Sequence, residues 1–123
     1  MGARAQVCIK DTGIYLYDHW GDDEEQATVQ NVRDAIMRQE RWSDPHYLAA
    51  IIFREMIKGD LNGATSFGID AELHGDTRLL VTVDCSQQTI KIERYTMMEN
   101  TFLESNSLPK KTEEYSFKEF TSQ

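Results

Sequence analysis

The feature that most constrains the fold is a pair of short alternating runs near the start of the chain. In residues 5–10 and again in residues 14–20, apolar side chains recur at every second position. A period of two puts these side chains on one face of a β-strand. The intervening Asp11-Thr12-Gly13 is typical of a tight turn, because glycine adopts a positive φ at little cost. The pattern therefore predicts a β-hairpin whose buried face carries Val7, Ile9, Ile14 and Leu16.

Two helical segments follow the hairpin. Apolar residues at helical spacing predict a first helix over about residues 24–39 and a second over about residues 45–58. The acidic run Asp22 to Glu25 suits the start of the first helix, since carboxylates offset the positive end of the helix dipole. At the second helix, the Asp44 carboxylate can cap the first turn, and Pro45 fits the first helical position.

Three further alternating runs complete the regular structure. They occupy residues 67–73, 79–83 and 90–92. Turn sequences separate these runs, which predicts a three-stranded antiparallel meander. The order ββααβββ favours an α+β fold, a two-layer sandwich with a five-stranded, mostly antiparallel sheet and two helices on one face. We expect residues 1–95 to form this single domain and residues 96–123 to be a polar extension, in which a capping box at Ser116 starts a short final helix.

Net charge limits the classes of partner. The chain has 123 residues and a formal charge of −8, which argues against direct binding to nucleic acid, because such binding needs cations that displace counterions. No apolar run reaches the roughly 18–20 residues that span a membrane, and the N-terminus lacks the apolar stretch of a signal peptide. We therefore expect a cytoplasmic protein, in which Cys8 and Cys85 stay reduced.

The chemistry-bearing residues do not form a known catalytic or metal-binding motif. The histidines at 19, 46 and 74 are scattered, and neither an H-E-x-x-H nor a C-x-x-C spacing occurs. The chain also lacks a phosphate-binding loop and a dinucleotide fingerprint. We therefore expect no metal and no cofactor.

Aromatic, cationic and acidic residues concentrate in two stretches, residues 15–21 and 38–47. Aromatic and arginine side chains dominate binding hot spots and also hold the base and phosphate of nucleotides. Our first hypothesis is a non-catalytic binding protein that uses this junction of hairpin and helices to bind a protein partner or a small nucleotide-like ligand. The candidate binding residues are Tyr15, Tyr17, Asp18, His19, Trp20, Arg38, Arg41, Trp42, Asp44 and His46.

Three alternatives stay open. The two tryptophans and Tyr47 could simply fill the gap between hairpin and helices. A second class of function is an acidic nucleic-acid mimic that blocks a basic protein groove. Its carboxylates would be those of Asp22 to Glu25, Asp60, Asp70, Glu72 and Asp76. A third class is a small hydrolase in which His19 works with Asp18 or Asp44.

Several stretches resemble a family of small uncharacterised proteins that occur in bacteria, archaea and their phages. The stretches are Tyr15 to Gly21, Arg41 to Phe53 and Phe67 to Ile69. The family pattern is Y-L-Y-x-H-W-x-G, R-x-R-W-x-D-x-x-Y-L-A-x-I-I-F and G-F-G-I. The resemblance covers roughly residues 7–95, although Ser66 stands where the pattern has glycine. It implies an accessory protein of a phage or prophage that acts against host defence, as an inhibitor or by sequestering a nucleotide signal.

An open sheet of this size also has two free edges. Unpaired backbone groups at such edges pair readily with another chain, and two-fold dimers are the commonest closed assemblies. We therefore expect a homodimer.

Overall fold

The computed structural model describes residues 4–18, 25–58, 67–74, 77–95 and 111–122. In these residues the chain forms an α+β fold with a six-stranded mixed sheet and three helices. The strands are β1 (Arg4–Ile9), β2 (Ile14–Asp18), β3 (Phe67–Asp70), β4 (Thr77–Asp84), β5 (Thr89–Arg94) and β6 (Lys111–Ser116). The helices are α1 (Glu25–Met37), α2 (Pro45–Ile57) and α3 (Phe117–Thr121). No helix in this described part is both long and apolar enough to cross a membrane.

The predicted N-terminal hairpin is confirmed. β1 and β2 pair antiparallel, and the buried apolar side chains of both strands share one face of the sheet. The connecting turn bends through Asp11 and Gly13, whose φ angles of 73° and 75° lie in the left-handed region. Thr12 closes the turn, because its hydroxyl donates to the Ile9 carbonyl oxygen at 2.7 Å.

The strand order β3-β2-β1-β4-β5-β6 differs from the predicted meander. β3 pairs antiparallel with β2 at one edge of the sheet, whereas β4 lies on the other side of the hairpin and pairs parallel with β1. The sheet is therefore mixed, with four antiparallel pairings and one parallel pairing. The meander prediction is confirmed for β4 and β5, which pair antiparallel, and is wrong for β3, because alternation states which face a residue occupies and says nothing of which strand lies beside it.

The sequence analysis also missed a sixth strand. Residues 111–116, which fall in the predicted polar extension, pair antiparallel with β5 and form the second edge of the sheet. The strand reads Lys-Thr-Glu-Glu-Tyr-Ser, and of these only Tyr115 packs an aromatic side chain against the core. The strand therefore depends on its pairing with β5 rather than on a hydrophobic pattern of its own.

All three helices pack against the same face of the sheet, so the molecule has two layers. Buried residues alternate with less buried ones along β4 and β5 and face the helices, where both layers share one core. α2 lies over β2 and β1, and α3 lies beside β5 and β6. Core residues with at most 1% exposure include Val7, Leu16, Val32, Ile36, Leu48, Ile52, Val81, Ile92, Phe117 and Phe120.

The short final helix begins where the capping box predicted it. The Ser116 hydroxyl accepts from the Glu119 amide at 3.0 Å, and the Glu119 carboxylate accepts from the Ser116 amide at 2.9 Å. Phe117 and Phe120 are fully buried and anchor α3 to the core. Arg33 of α1 holds the end of α3, since its Nε donates to the Phe120 carbonyl oxygen at 3.0 Å.

α2 starts at Pro45 as predicted, but the Asp44 carboxylate does not cap it. Asp44 occupies the N-cap position with φ −124° and ψ 92°, and its side chain makes no capping hydrogen bond. The first turn is held instead by the fixed φ of Pro45 and by the Leu48 amide, which donates to the Asp44 carbonyl oxygen at 2.9 Å.

Candidate functional site

The described residues of the predicted binding cluster divide between two faces of the molecule. Tyr15 and Tyr17 project from β2 on the face opposite the helices, because they alternate with the core residues of that strand. On the helical side lie Arg38, Arg41, Trp42, Asp44 and His46. His19 and Trp20 are outside the described residues. The sheet therefore separates the two tyrosines from the other described candidates, and these residues do not form one continuous surface.

Trp42 is partly buried against the core, and Asp18 is buried. The Trp42 indole Nε1 donates to the Ile36 carbonyl oxygen at 2.9 Å, and the ring meets Phe117 edge to face with centroids 5.2 Å apart. Asp18 is only 2% exposed at the end of β2. Trp42 therefore links α1 to α3 in the core, and Asp18 is closed to a ligand in solution.

Arg38 belongs to an ion-pair network at the ends of α1 and α2. Its Nη1 lies 3.8 Å from a Glu55 carboxylate oxygen, and its Nε donates to Glu40 at 3.5 Å. Lys58 donates to the same Glu55 carboxylate at 2.7 Å. Because Glu55 is buried, the two cations compensate a charge that would otherwise be costly to enclose. Arg38 therefore ties the two helices together.

Arg41 and Tyr47 form a stacked pair on the outer surface of the helical layer. The backbone of Arg41 has a φ of 59°, and its guanidinium carbon lies 4.4 Å from the centroid of the Tyr47 ring. Tyr47 is 57% exposed. Together with Arg54, the pair lines a depression of about 570 Å³. Within the described ranges, neither arginine has a carboxylate within ion-pair distance.

An apolar groove lies next to this depression, between α2 and strands β2 and β3, and has a volume of about 450 Å³. We call it the α2 groove: it is walled by His46, Ala50, Phe53 and Ile57 of α2 and floored by Ile14 and Ile69 of the sheet. Ile69 keeps 61% of its surface exposed, because α2 packs over β2 and β1 and leaves the edge strand open. The α2 groove is therefore a part of the apolar face of the sheet that no other described element covers.

Cations stand at the rim of the α2 groove. Arg54 and Lys58 lie near the C-terminal end of α2. Lys58 is paired with Glu55, whereas Arg54 has no ion-pair partner among the described residues. A free guanidinium beside apolar surface suits a ligand with an apolar body and an anionic group.

Sequence reasoning selected only His46 from the residues of this groove. Phe53 and Ile57 were missed as groove residues; both are partly buried against the core, and apolar residues on more than one side of α2 were a signal of a wider contact surface. Tyr47, which could have filled the gap between hairpin and helices, is instead exposed.

The open face of the sheet carries a separate polar cluster around His74. The His74 Nε2 lies 2.6 Å from the Asp70 carboxylate, and the ring meets Tyr17 edge on with centroids 5.7 Å apart. The Ala71 amide and then His74 hold the pKa of Asp70 below its usual range. The ionised carboxylate is an acceptor only, so Nε2 carries the proton in this pair. Gly68 makes room for Tyr17, since a Cβ there would lie 2.4 Å from the ring.

Gln6 fixes the loop that carries His74. Its side chain is fully buried, and its oxygen accepts from the His74 amide at 2.8 Å and from the Thr77 hydroxyl. Its nitrogen donates to the Glu72 carbonyl oxygen at 3.1 Å. These bonds hold the β3–β4 connection to β1. The connection joins β3, on the β2 side of the hairpin, to β4, on the β1 side.

The two cysteines are free and poorly suited to nucleophilic chemistry. Burial raises the pKa of the Cys85 thiol to about 11. Burial also raises the pKa of Cys8, against the opposing effect of a hydrogen bond with Tyr15. Both thiols are therefore protonated at neutral pH. In the part of the chain that the structure describes, no three His, Cys, Asp or Glu side chains come together as a set of metal ligands.

Comparisons with profiles of known protein families, with curated proteins and with solved structures find no match to this chain. The resemblance to the small phage-associated family therefore stays a prediction. The geometry of α2 and its surroundings supplies the basis for a functional proposal.

Proposed function

We propose that this protein is a non-catalytic binding protein and that the α2 groove is its contact surface for a protein partner. The supporting observation is an apolar groove of about 450 Å³ with Arg54 at its rim, whose guanidinium has no ion-pair partner among the described residues. Apolar surface left in water is unfavourable by roughly 25 cal/mol per Å², and a partner that covers it recovers this free energy. The free guanidinium adds a directional contact for an anionic group.

The distribution of charge describes the partner. The chain carries a formal charge of −8, yet the outer surface of α2 and the connection before it hold Arg41, Arg54 and Lys58, beside the single carboxylate of Glu40 in the lining of the depression. A local cationic surface on an acidic protein attracts anionic segments and repels cationic ones. A partner segment with apolar side chains flanked by carboxylates fits both the groove and its rim.

The family resemblance supplies a setting for this binding. A phage or prophage protein of this kind would act as an anti-defence inhibitor that holds a host protein through the α2 groove. The nucleic-acid mimic and the hydrolase stay predictions. Most carboxylates of the first and His19 of the second lie outside the described residues.

A second candidate function is the capture of a nucleotide-like anion beside the Arg41–Tyr47 pair. The observation that favours it is an exposed aromatic ring next to the guanidinium groups of Arg41 and Arg54, which have no ion-pair partner within the described ranges. Such a set can stack on a base and pair with a phosphate. Native mass spectrometry of the protein purified from cells should then show an adduct of a few hundred daltons that Arg41→Ala removes. A spectrum without an adduct would exclude this candidate.

Substitution of Ala50 tests the main proposal, because this exposed residue lies in the middle of the groove wall. Ala50→Glu fills the groove with a charged side chain that can also pair with Arg54 four residues along the helix. The variant should lose the protein that co-purifies with the tagged wild type from cells. Ala27→Glu is the matched control, since it makes the same change at an exposed position of α1. Equal recovery with both variants would contradict the proposal.

A further inference from the structure

We propose that the partner segment in the α2 groove is an amphipathic helix that runs antiparallel to α2 and carries carboxylates in its first turn. This inference rests on the proposed function of the groove. It adds the secondary structure, the direction and the charge pattern of the occupant. Three separate features of the groove support it: the spacing of its wall, the gap in the helical layer and the position of its cations.

The wall of the groove has the spacing of a helix–helix contact. His46, Ala50, Phe53 and Ile57 follow one another at steps of four, three and four residues. This alternation is the one by which a helix presents a continuous stripe to a second helix. Ala50 lies inside the stripe, and its small side chain allows a second helix axis to approach to the roughly 8–10 Å that is typical of packed helices.

In the described part of the chain, the helical layer stops short of the sheet edge on this side. α2 covers β2 and β1, while Ile69 of β3 faces the same side as Leu16 and stays 61% exposed. A helix beside α2 would cover Ile69 and extend the layer to the edge of the sheet. A strand added to β3 would pair with its backbone but would leave Phe53 and Ile57 in contact with water.

The cations at the rim indicate the direction of the occupant. Arg54 and Lys58 lie near the C-terminal end of α2. A helix antiparallel to α2 places its own N-terminal turn beside them. Carboxylates in that turn are favoured by the dipole of the partner helix and also pair with Arg54, since Lys58 is already paired with Glu55. Only in the antiparallel direction do the dipole of the partner helix and the rim of the α2 groove favour carboxylates at the same place.

A random peptide library displayed on messenger RNA, with peptides about four helical turns long, tests the inference. The library is selected on the wild-type protein after counter-selection on the Ala50→Glu variant, so that only groove binders are enriched. The enriched peptides should repeat apolar residues at alternating steps of three and four and carry Asp or Glu in the first turn. A synthetic peptide of this sequence should gain helical circular dichroism when it binds.

Charge variants then test the rim. Arg54→Glu should weaken the binding of the selected peptide, raising its Kd by about tenfold or more. Lys118→Glu is the matched control, because it reverses an exposed cation on α3, away from the groove. This control should keep the affinity within about twofold. Equal losses in both variants would overturn the assignment of partner carboxylates to Arg54.

Each remaining outcome overturns the inference and shows whether the groove still binds a partner. Enriched peptides with a period of two and no gain of helix would identify a strand as the occupant, and binding at the groove would stand. Helical peptides with carboxylates in the last turn would reverse the direction. No enrichment over the Ala50→Glu variant would overturn both the helix and the groove as a contact surface. A wild-type dimer that Ala50→Glu converts to a monomer in sedimentation would assign the groove to a second copy of this chain.

Discussion

At the scale of single residues, Gly68 decides where the Tyr17 ring can lie. A Cβ at this position would come within 2.4 Å of Tyr17 Cζ, which is far inside van der Waals contact. Gly68→Ala must therefore displace the ring from β3 and disturb its edge contact with His74. We expect the free energy of unfolding to fall by about 1–3 kcal/mol, measured by denaturant titration.

Two further variants separate this steric effect from backbone strain. Gly13 has a φ of 75° and no atom within 4 Å of the position of a Cβ, so Gly13→Ala introduces backbone strain without a steric clash. We expect this variant to lower the free energy of unfolding by about 1 kcal/mol. In a Tyr17→Ala background, Gly68→Ala should lower the free energy of unfolding only slightly, because the ring that the new Cβ would strike is absent. If the full cost persisted in that background, the steric explanation would be wrong.

Asp84 is a buried carboxylate that the fold stabilises in its ionised form. Burial alone would raise the pKa of Asp84, but hydrogen bonds from Ser86 and Gln87, together with Lys10 at 3.2 Å, hold it below the ordinary value of 3.8. Since the folded-state pKa is depressed, the stabilisation is present above the unfolded-state pKa. It is lost as the pH falls through the folded-state pKa.

Asp84→Asn should therefore destabilise the protein in a pH-dependent way. We expect a loss of about 1–2 kcal/mol in the free energy of unfolding at neutral pH, because the charge-assisted bonds are weakened. The difference from wild type should shrink between about pH 5 and pH 2. Asp11→Asn, at an exposed left-handed position that asparagine tolerates, is the control and should stay within about 0.5 kcal/mol of wild type. An unchanged difference at about pH 3 would refute the role of ionisation.

At the scale of elements, α2 is a helix with two apolar sides. One side sends Leu48, Ile52 and Met56 into the core, and the other lines the α2 groove with Phe53 and Ile57. A helix of a two-layer fold needs only one apolar side for its own packing. The second side is therefore the element-level reason to expect a partner.

Both capping and packing stabilise the short helix α3. It has five residues, which is too few for independent stability. Ser116→Ala should lower the free energy of unfolding by about 1 kcal/mol through loss of the cap, and Phe120→Ala by about 3–5 kcal/mol through the cavity it leaves. Lys118→Ala, exposed on the same helix, should change it by less than about 0.5 kcal/mol. Chemical unfolding measures all three, and a larger loss for Ser116 than for Phe120 would refute this explanation.

At the scale of the whole molecule, β6 and α3 complete both layers of the fold. β6 covers one edge of the sheet, and Phe117 and Phe120 supply two of the largest fully buried side chains. Truncation after Tyr95 removes both elements. We expect the shorter chain to lose cooperative thermal unfolding and dispersed amide resonances, because its core would be open to water.

Truncation after Ser122 is the control for that experiment, since it keeps β6 and α3 and should unfold as the full chain does. Cooperative unfolding of the chain that ends at Tyr95 would instead support an autonomous domain of residues 1–95. The comparison tests the domain boundary expected from the sequence against the packing of the final elements.

Local patterns predicted the hairpin, the two long helices and the capped final helix. Each of these depends on neighbours in the chain, such as Pro45 at a helix start or Ser116 and Glu119 in a capping box. The sheet order could not be predicted, because Phe67 and Ile69 alternate in the same way whichever strand lies beside them. β6 was missed because Lys111–Ser116 is polar and gains its strand character from β5.

The candidate site was predictable only in part. Composition pointed to Arg41 and His46, which do lie on the outer surface around α2. It also grouped them with Tyr15 and Tyr17, which the sheet places on the opposite face.

The sequence by itself determined the hairpin, the three helices and the buried face of each alternating strand, since hydrophobic period, turn residues and caps act over a few positions. The tertiary structure alone decided that residues 111–116 form a strand and which strands are neighbours. Within the described residues, it also decided which part of α2 stays uncovered and which cation beside it has no ion-pair partner. These properties depend on contacts between residues far apart in the chain. The free energy of such contacts arises only when the layers pack, so no local pattern records them.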